Sequence, residues 1–356
     1  MNFALFGYPK TGKTTLFNLL TGAHLETTVY DDGHRESSLR SCPIPDERLD
    51  ALAGLYKEKK KTPAALDITD LHGISYGEVK NSALLGLLRK ADGLVHVVRG
   101  FTDESIPHPR PVNPAQDIRT MEEELALADF ISIETRLERL DKDLKKAKSQ
   151  EGEKEKGVLE KLRASVEAGR GICGADLTPA EEKIIRSFAF LSQKPLLHLI
   201  NADEKDASRL EGAAGLYGLG STRGQPLAFC GRVESEILQL EAGEAEAFLA
   251  EFGLRRTIRQ QFFETAPRLL DLIFFFTIGK EEVRAWAIKR NASALAAAGA
   301  IHTDIERGFI RAEVISYQEL FRLGSLQAAK DTGLVRLEGK DYTVQDGDVI
   351  YFRFST

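Results

Sequence analysis

The sequence predicts an α/β protein in three parts, and three observations carry that reading. A short apolar strand runs straight into a glycine-rich loop and a helix. Apolar runs and helical patterns then alternate. The composition changes twice, near residue 115 and near residue 274.

Taken in order, Phe3 to Phe6 reads as a strand and Thr14 to Leu20 as a helix closed by Gly22. Ala64 to Thr69 is a strand, Ala83 to Arg89 a helix, and Gly93 to Val98 a strand. The pattern resumes at Pro195 to Ile200 and again at Pro226 to Phe229. Such alternation implies a parallel sheet with crossover helices. Between these halves, Ile118, Met121, Leu125, Ile133, Leu137, Leu140 and Leu144 recur mostly at three-to-four spacing, and Val158, Leu162 and Val166 return as a second stripe. This predicts an antiparallel helical hairpin whose mixed-charge tip, Lys145 to Lys156, contains Gly152. Thr178-Pro179-Ala180-Glu181 should open the next helix with a capping Thr, a first-turn Pro that needs no N–H partner, and a reciprocal Glu. From Phe274 onward, strand-like runs at 274–278, 283–288, 310–315, 335–337 and 349–354 flank helical segments at 293–301 and 317–330, which predicts a small α+β domain.

At 356 residues the chain exceeds a typical domain of roughly 100–150, so two or three are expected. Cys42, Cys173 and Cys230 lie far apart, giving neither a disulfide framework nor a zinc pattern. A formal net charge of −6 argues against coating DNA or other nucleic acid by bulk electrostatics. No apolar run approaches the ~20 residues needed to span a bilayer, and the N-terminus lacks a basic region and cleavage site. A reduced, cytoplasmic setting without membrane attachment is the expectation.

Gly7-Tyr8-Pro9-Lys10-Thr11-Gly12-Lys13-Thr14 is a complete G-x-x-x-x-G-K-[ST] loop between strand and helix. There, backbone N–H groups turn inward on phosphates and the helix N-terminus adds its dipole. Gly7, Lys10, Thr11, Gly12, Lys13, Thr14 and Thr15 are therefore the candidate phosphate-binding residues. Lys13 would reach the β- and γ-phosphates and the Thr14 hydroxyl would ligate Mg²⁺. Asp70-Leu71-His72-Gly73 ends the second strand. Asp70 is the second candidate for magnesium, with Asp67 as its competitor, and the Gly73 N–H could approach the γ-phosphate. Ile74 stands where Ras-like enzymes carry the Gln that orients water, so no catalytic residue is assigned; His72 is a solvated loop histidine in the simplest reading. Asn201-Ala202-Asp203-Glu204 follows a strand where Ras-like proteins carry N-K-x-D. Asn201, Ala202 and Glu204 are candidate base-binding residues, with Cys230 and Gly231 as a second wall. The longer Glu204 and the stemless Ala202 weaken guanine selection.

The predicted architecture is thus a P-loop NTPase of Ras-like G-domain type at 1–114 and 191–272, an inserted helical hairpin at 115–190, and a separate domain at 273–356. Together these features resemble the Obg-like ATPase family (YchF). The closest stretches are Pro43 to Asp50, Val95-His96-Val97-Val98-Arg99, and the tail segments Val283 to Trp286, Gly308 to Glu313 and Glu338 to Tyr342. The tail looks like that family's TGS domain, a ubiquitin-like β-grasp. The resemblance implies a Mg²⁺-dependent ATPase that takes GTP poorly and works with the ribosome or its RNA. Two other readings stay open: an ordinary GTPase, and a ribosome- or RNA-docking adaptor whose nucleotide site hydrolyses weakly. Several positions depart from the family. His34 falls where its first switch places a magnesium-binding Thr, with Thr27 or Thr28 as substitutes, and Lys10-Thr11 replaces Asn-Val. Residues 75–82, the second switch, are also shorter and poorer in glycine. The tail, with eleven Lys and Arg against eleven Asp and Glu between Lys280 and Arg353, is no basic magnet, so any RNA contact there would be local.

Overall fold

Strand β1 (Asn2–Phe6) is buried from Phe3 to Phe6 and lies inside its sheet, as a continuous apolar run predicts for a strand covered on both faces. The computed structural model describes residues 1–26, 37–56, 59–71, 73, 82–108 and 110–355. These divide into two compact units, one of residues 1–40 and 67–259, the other of 41–66 and 260–356.

The first unit is built on a six-stranded sheet in the order β2-β4-β1-β5-β6-β7, where β2 is Ser38–Pro43, β4 Ala65–Asp70, β5 Gly93–Gly100, β6 Leu196–Ala202 and β7 Gln225–Phe229. β1 runs parallel to β4 on one side and β5 on the other, and β5, β6 and β7 continue in parallel. The order therefore reverses at β1, and the carboxyl end of a strand at such a point is where open α/β sheets hold ligands. Helix α1 (Lys13–Thr21) follows β1 directly and ends at Gly22, whose φ of 69° is the left-handed cap conformation that glycine adopts without cost.

The inserted hairpin forms as one 33-residue helix (Pro114–Lys146) answered by an 18-residue helix (Gln150–Glu167). Its own core joins Ile133, Leu137, Leu140, Val158, Leu159 and Leu162. The expected tip is narrower than the charge run suggested. Gly152 lies in the first turn of the second helix, because the Ser149 side chain accepts from its N–H and Glu151 and Glu153 favour that terminus. Arg136 to Glu155 and Lys156 to Asp141 ion pairs then cross between the helices. Beyond it, Thr178 and Glu181 make the reciprocal capping box that the sequence predicted.

The second unit has the sheet order β11-β10-β12-β8-β9-β3, with β3 Lys60–Thr62, β8 Leu272–Ile278, β9 Glu282–Lys289, β10 Phe309–Ser316, β11 Arg336–Glu338 and β12 Asp348–Phe354. β8 and β9 form a hairpin, β12 runs parallel to β8 and antiparallel to β10, and the helix Ala294–Ile301 packs on one face. That is a ubiquitin-like β-grasp. The 317–330 stretch splits in two, at Gly324 (φ 77°) with Ser325 capping the second helix. Residues 41–66 add an element the patterning did not announce: β3 extends the β-grasp sheet in parallel along β9. Arg48 locks this segment down, bonding Asp46 and, at 2.7 Å, Asp346 while lying over the Phe276 ring. Burial opposes its charge, but the two carboxylates outweigh it and raise its pKa.

Candidate functional site

The loop between β1 and α1 is shaped by three residues with positive φ: Gly7 at 144°, Lys10 at 62° and Gly12 at 96°. A side chain on Gly7 would place Cβ 2.4 Å from the Val97 carbonyl oxygen, so the loop passes too close to β5 for anything but glycine. Gly12 opens α1 with no side-chain cap, leaving the first-turn N–H groups directed at the loop's concavity, where an anion is favoured. Lys13 is buried, and its ammonium donates to the carbonyls of Tyr8 at 2.8 Å and Gly7 at 3.3 Å. The ammonium thus spans the loop that its own helix closes. Thr11 donates its hydroxyl to the Tyr8 carbonyl at 3.1 Å.

Register brings Asp70 to this loop. Pairing of Leu5 with Asp70 puts that carboxylate at the carboxyl end of β4, and the Thr14 hydroxyl donates to it at 2.9 Å. Asp67 pairs instead with Asn2, at the opposite end of the strand. Two hard oxygen donors thus converge beside the phosphate loop. They fit Mg²⁺, which takes one or two protein oxygens and completes its shell with water and phosphate. No cluster of three or more His, Cys, Asp or Glu side chains arranged for a metal occurs among the described residues. Gly73 lies against the loop: a Cβ there would come within 2.9 Å of Pro9 Cα. His34, Thr27, Thr28, His72, Ile74 and residues 75–81 lie outside the described residues.

The N-x-x-E segment has two fates. Asn201 is buried, and its amide is used at both ends: Nδ2 donates to the Thr11 carbonyl at 3.2 Å and Oδ1 accepts from the Gly231 N–H at 2.9 Å. It clips the phosphate loop to the loop that follows β7. The fit is tight, since a Cβ on Gly12 would fall 2.3 Å from Asn201 Nδ2 and one on Gly231 would fall 2.9 Å from Asn201 Oδ1 and 3.1 Å from Thr15. Ala202 points the other way, into the core with Val98 and Ile200. Glu204 is exposed and lies 3.7 Å from Arg232. Asp203 accepts from the Thr102 backbone and hydroxyl; burial raises its pKa, but these bonds and Lys205 outweigh that and hold it below the ordinary value. Cys230 is buried, which pushes its thiol pKa up.

Arg99 is the residue that motif reading left without a role. Only 2% exposed, it reaches the carbonyls of Phe101, Asp103 and Ile106 and, at 3.5 Å, that of Lys10 in the phosphate loop, with its guanidinium over the Phe101 ring. Desolvation lowers its pKa. A fully buried arginine answered by four carbonyls holds two loops together. Its signal was the charge that ends the apolar run Leu94–Val98.

No described helix is long and apolar enough to cross a membrane. The family model described as a 50S ribosome-binding GTPase matches residues 2–136, and the YchF-GTPase C-terminal model matches residues 272–355. The chain is 38% identical to the Ribosome-binding ATPase YchF of Bacillus subtilis over 99% of this chain and 98% of that protein. It is 34% identical to Obg-like ATPase 1 of Oryza sativa subsp. japonica over 100% of this chain and 92% of that one. The solved structure of the Schizosaccharomyces pombe YchF GTPase superposes with a TM-score of 0.84 at 28% identity, covering 99% of this chain and 97% of that one. With a Ras-like nucleotide domain, a helical insert and a β-grasp in the same order along nearly the full length of these relatives, the chain belongs to the YchF (Obg-like ATPase) family.

Proposed function

We propose that this protein is a Mg²⁺-dependent nucleoside triphosphatase that prefers ATP, releases ADP and phosphate, and works on the ribosome in the cytoplasm, without DNA or membrane. The observation that carries the reading is the phosphate loop with Lys13 spanning it and the Thr14–Asp70 pair beside it at 2.9 Å. The names of its relatives, a ribosome-binding ATPase and an Obg-like ATPase, support ATP as the nucleotide and the ribosome as the partner.

In this reading the loop amides from Lys10 to Thr15 bind the phosphate oxygens, and Lys13 exchanges carbonyl partners for the β- and γ-phosphates. Thr14 and Asp70 hold Mg²⁺, which when bound neutralises charge developing between the β- and γ-oxygens. The Gly73 N–H approaches the γ-phosphate from its seat on Pro9. Asn201 fixes the distance between the phosphate and base loops, while Glu204, Cys230 and Gly231 border the base. Replacing the water-orienting Gln by Ile74 removes a hydrogen-bonding group, so turnover without a partner is slow, below the ~1–100 s⁻¹ of kinases. That substitution also favours a second reading, a ribosome- or RNA-docking adaptor with weak hydrolysis.

Titration with ATP, GTP, ADP and GDP in Mg²⁺, followed by hydrolysis with and without ribosomes, tests this. ATP binding tighter than GTP, with turnover raised by ribosomes, supports the ATPase. Ribosome binding without turnover supports the adaptor. Tighter GTP binding, or binding of neither triphosphate, overturns the proposal.

A further inference from the structure

Beneath the phosphate loop lies a row of polar side chains that the proposed chemistry does not use. His96 of β5 and His198 of β6 stand opposite each other in the parallel register, both wholly buried, with their Nδ1 atoms 3.1 Å apart. His198 Nε2 lies 2.8 Å from Glu122 Oε1 on the long inserted helix. The same carboxylate oxygen accepts from the backbone N–H groups of Arg223 at 2.8 Å and Gly224 at 3.3 Å. At the other end, His96 pairs in register with Phe6, its Cδ2 sits 3.3 Å from where a Gly7 Cβ would be, and Tyr8 meets it edge-on. Its Nε2, bonded to that same Cδ2, is buried and has no hydrogen-bond partner among the described residues.

The protons in this row are constrained. Burial, His198 and the nearby Lys13 ammonium all lower the His96 pKa well below its ordinary value, so His96 stays neutral and carries one ring proton. Burial alone would raise the Glu122 pKa, but the bonds from His198, Gly224 and Arg223 outweigh it and hold it below the ordinary value, so the carboxylate only accepts and His198 Nε2 carries a proton. Two arrangements remain. If His198 has no second proton, His96 Nδ1–H donates to it and His96 Nε2 presents a bare lone pair toward the loop. If His198 gains a second proton, it donates to His96 Nδ1 and His96 Nε2 becomes an N–H. Among the described residues, the charged groups facing the row are Lys13 on α1, Glu122 on the inserted helix and Arg223 before β7. One proton at the insert end therefore reverses the hydrogen-bonding character at the loop end.

We propose that Glu122, His198 and His96 form a buried relay by which the inserted helix adjusts the phosphate loop, with His96 as a positioning residue for nucleotide. The relay gives the hairpin a route to the nucleotide grip: displacing the inserted helix by the length of one hydrogen bond disconnects Glu122. By linkage, triphosphate binding alters the same three groups in return.

Two measurements on the full chain test it. ¹⁵N-histidine spectra report which ring nitrogens carry protons. The expected result is that adding ATP and Mg²⁺ shifts the His96 Nε2 resonance and, through it, those of His198, and that Glu122→Gln removes the His198 response. Binding of ATP is expected to weaken about fivefold in the nearly isosteric Glu122→Gln and about tenfold in His198→Phe. Leu125→Ala, on the same helix and buried in a core with Met121, Leu88 and Leu94, should lower stability without moving the histidine nitrogens. Histidine resonances that ignore ATP while ATP still binds, or a Glu122→Gln chain that binds ATP within twofold of the parent, overturn the relay. Equal losses of affinity in Leu125→Ala and Glu122→Gln, tracking their melting temperatures, also overturn it, by reducing the effect to packing.

Discussion

The phosphate end and the base end of the candidate site are built by different means. At the phosphate end, glycines, amides, Lys13 and Thr14 sit within eight consecutive residues, and their geometry follows from a strand meeting a helix. At the base end, four consecutive residues scatter: Asn201 turns inward as a clip, Ala202 enters the core, Asp203 accepts from Thr102 and Glu204 stands exposed beside Arg232. A local motif can fix backbone shape. It cannot by itself fix which way a side chain at a strand end points, because that depends on what lies across the sheet.

The largest effect is expected at the phosphate end. Lys13→Ala removes the charge that spans the loop, and triphosphate affinity should fall at least about a hundredfold, near 3 kcal/mol, in calorimetry. Affinity unchanged within threefold would mean the loop amides alone hold phosphate. Next comes the clip. Asn201→Ala strands a buried carbonyl on Thr11 and a buried N–H on Gly231, which at ~1–3 kcal/mol for each lost partner should cost about 2–4 kcal/mol of stability. ATP and GTP affinities should drop together, since the clip positions loops without reading a base. A selective loss of one nucleotide would place Asn201 against the base.

This contrast also marks how far the sequence could be read. Strand β1, Gly22 at the end of α1, the Thr178 capping box and the β-grasp strands were legible because each depends on neighbours within a few residues. That Asp70, and not Asp67, lies beside Thr14 follows from its later place along the strand. The helical tip was misjudged because Gly152, a weak helix former, is rescued by Ser149 and by ion pairs from another helix. Residues 41–66 gave no sign of joining the β-grasp, since β3 is only three residues long and wholly polar, and its partner β9 lies about two hundred residues away. The Pro43 to Asp50 stretch that carries the family resemblance serves this docking through Arg48. The paired histidines were invisible as a pair for the same reason: parallel register, not sequence distance, brings them together.

The third effect separates the two ends by pH. Glu234, in the helix Gly231–Ile237 that begins at the base end, is 3% exposed and accepts from the Ile258 N–H at 2.6 Å. Desolvation, against those backbone bonds, raises its pKa from 4.5 to about 8. Below pH 4.5 the folded and unfolded chains both hold this proton and its contribution is constant. Between pH 4.5 and 8 the unfolded chain releases it first, so stability falls as pH rises, by roughly 4 kcal/mol across the window at 1.36 kcal/mol per unit. Glu234→Gln should flatten that slope: its melting temperature relative to the parent should climb from pH 5 to pH 8. A constant difference would show that Glu234 ionises normally inside the fold.

The smallest effect is expected from Glu204. An exposed ion pair at 3.7 Å is worth about 0–1 kcal/mol, so Glu204→Ala should leave the melting temperature nearly unchanged. Its proposed use is in choosing the base. Guanine offers a carboxylate two donors from one edge, its ring N–H and its amine, whereas adenine offers only its amine, so losing this carboxylate removes more from GTP than from ATP. Since the longer side chain reaches outward to Arg232, that difference should be small, and the ratio of ATP to GTP affinity should move by less than about fivefold, near 1 kcal/mol. A shift above tenfold would mean that Glu204 leaves Arg232 to read the base directly, and the two ends of the site would then be alike in being specified by local sequence.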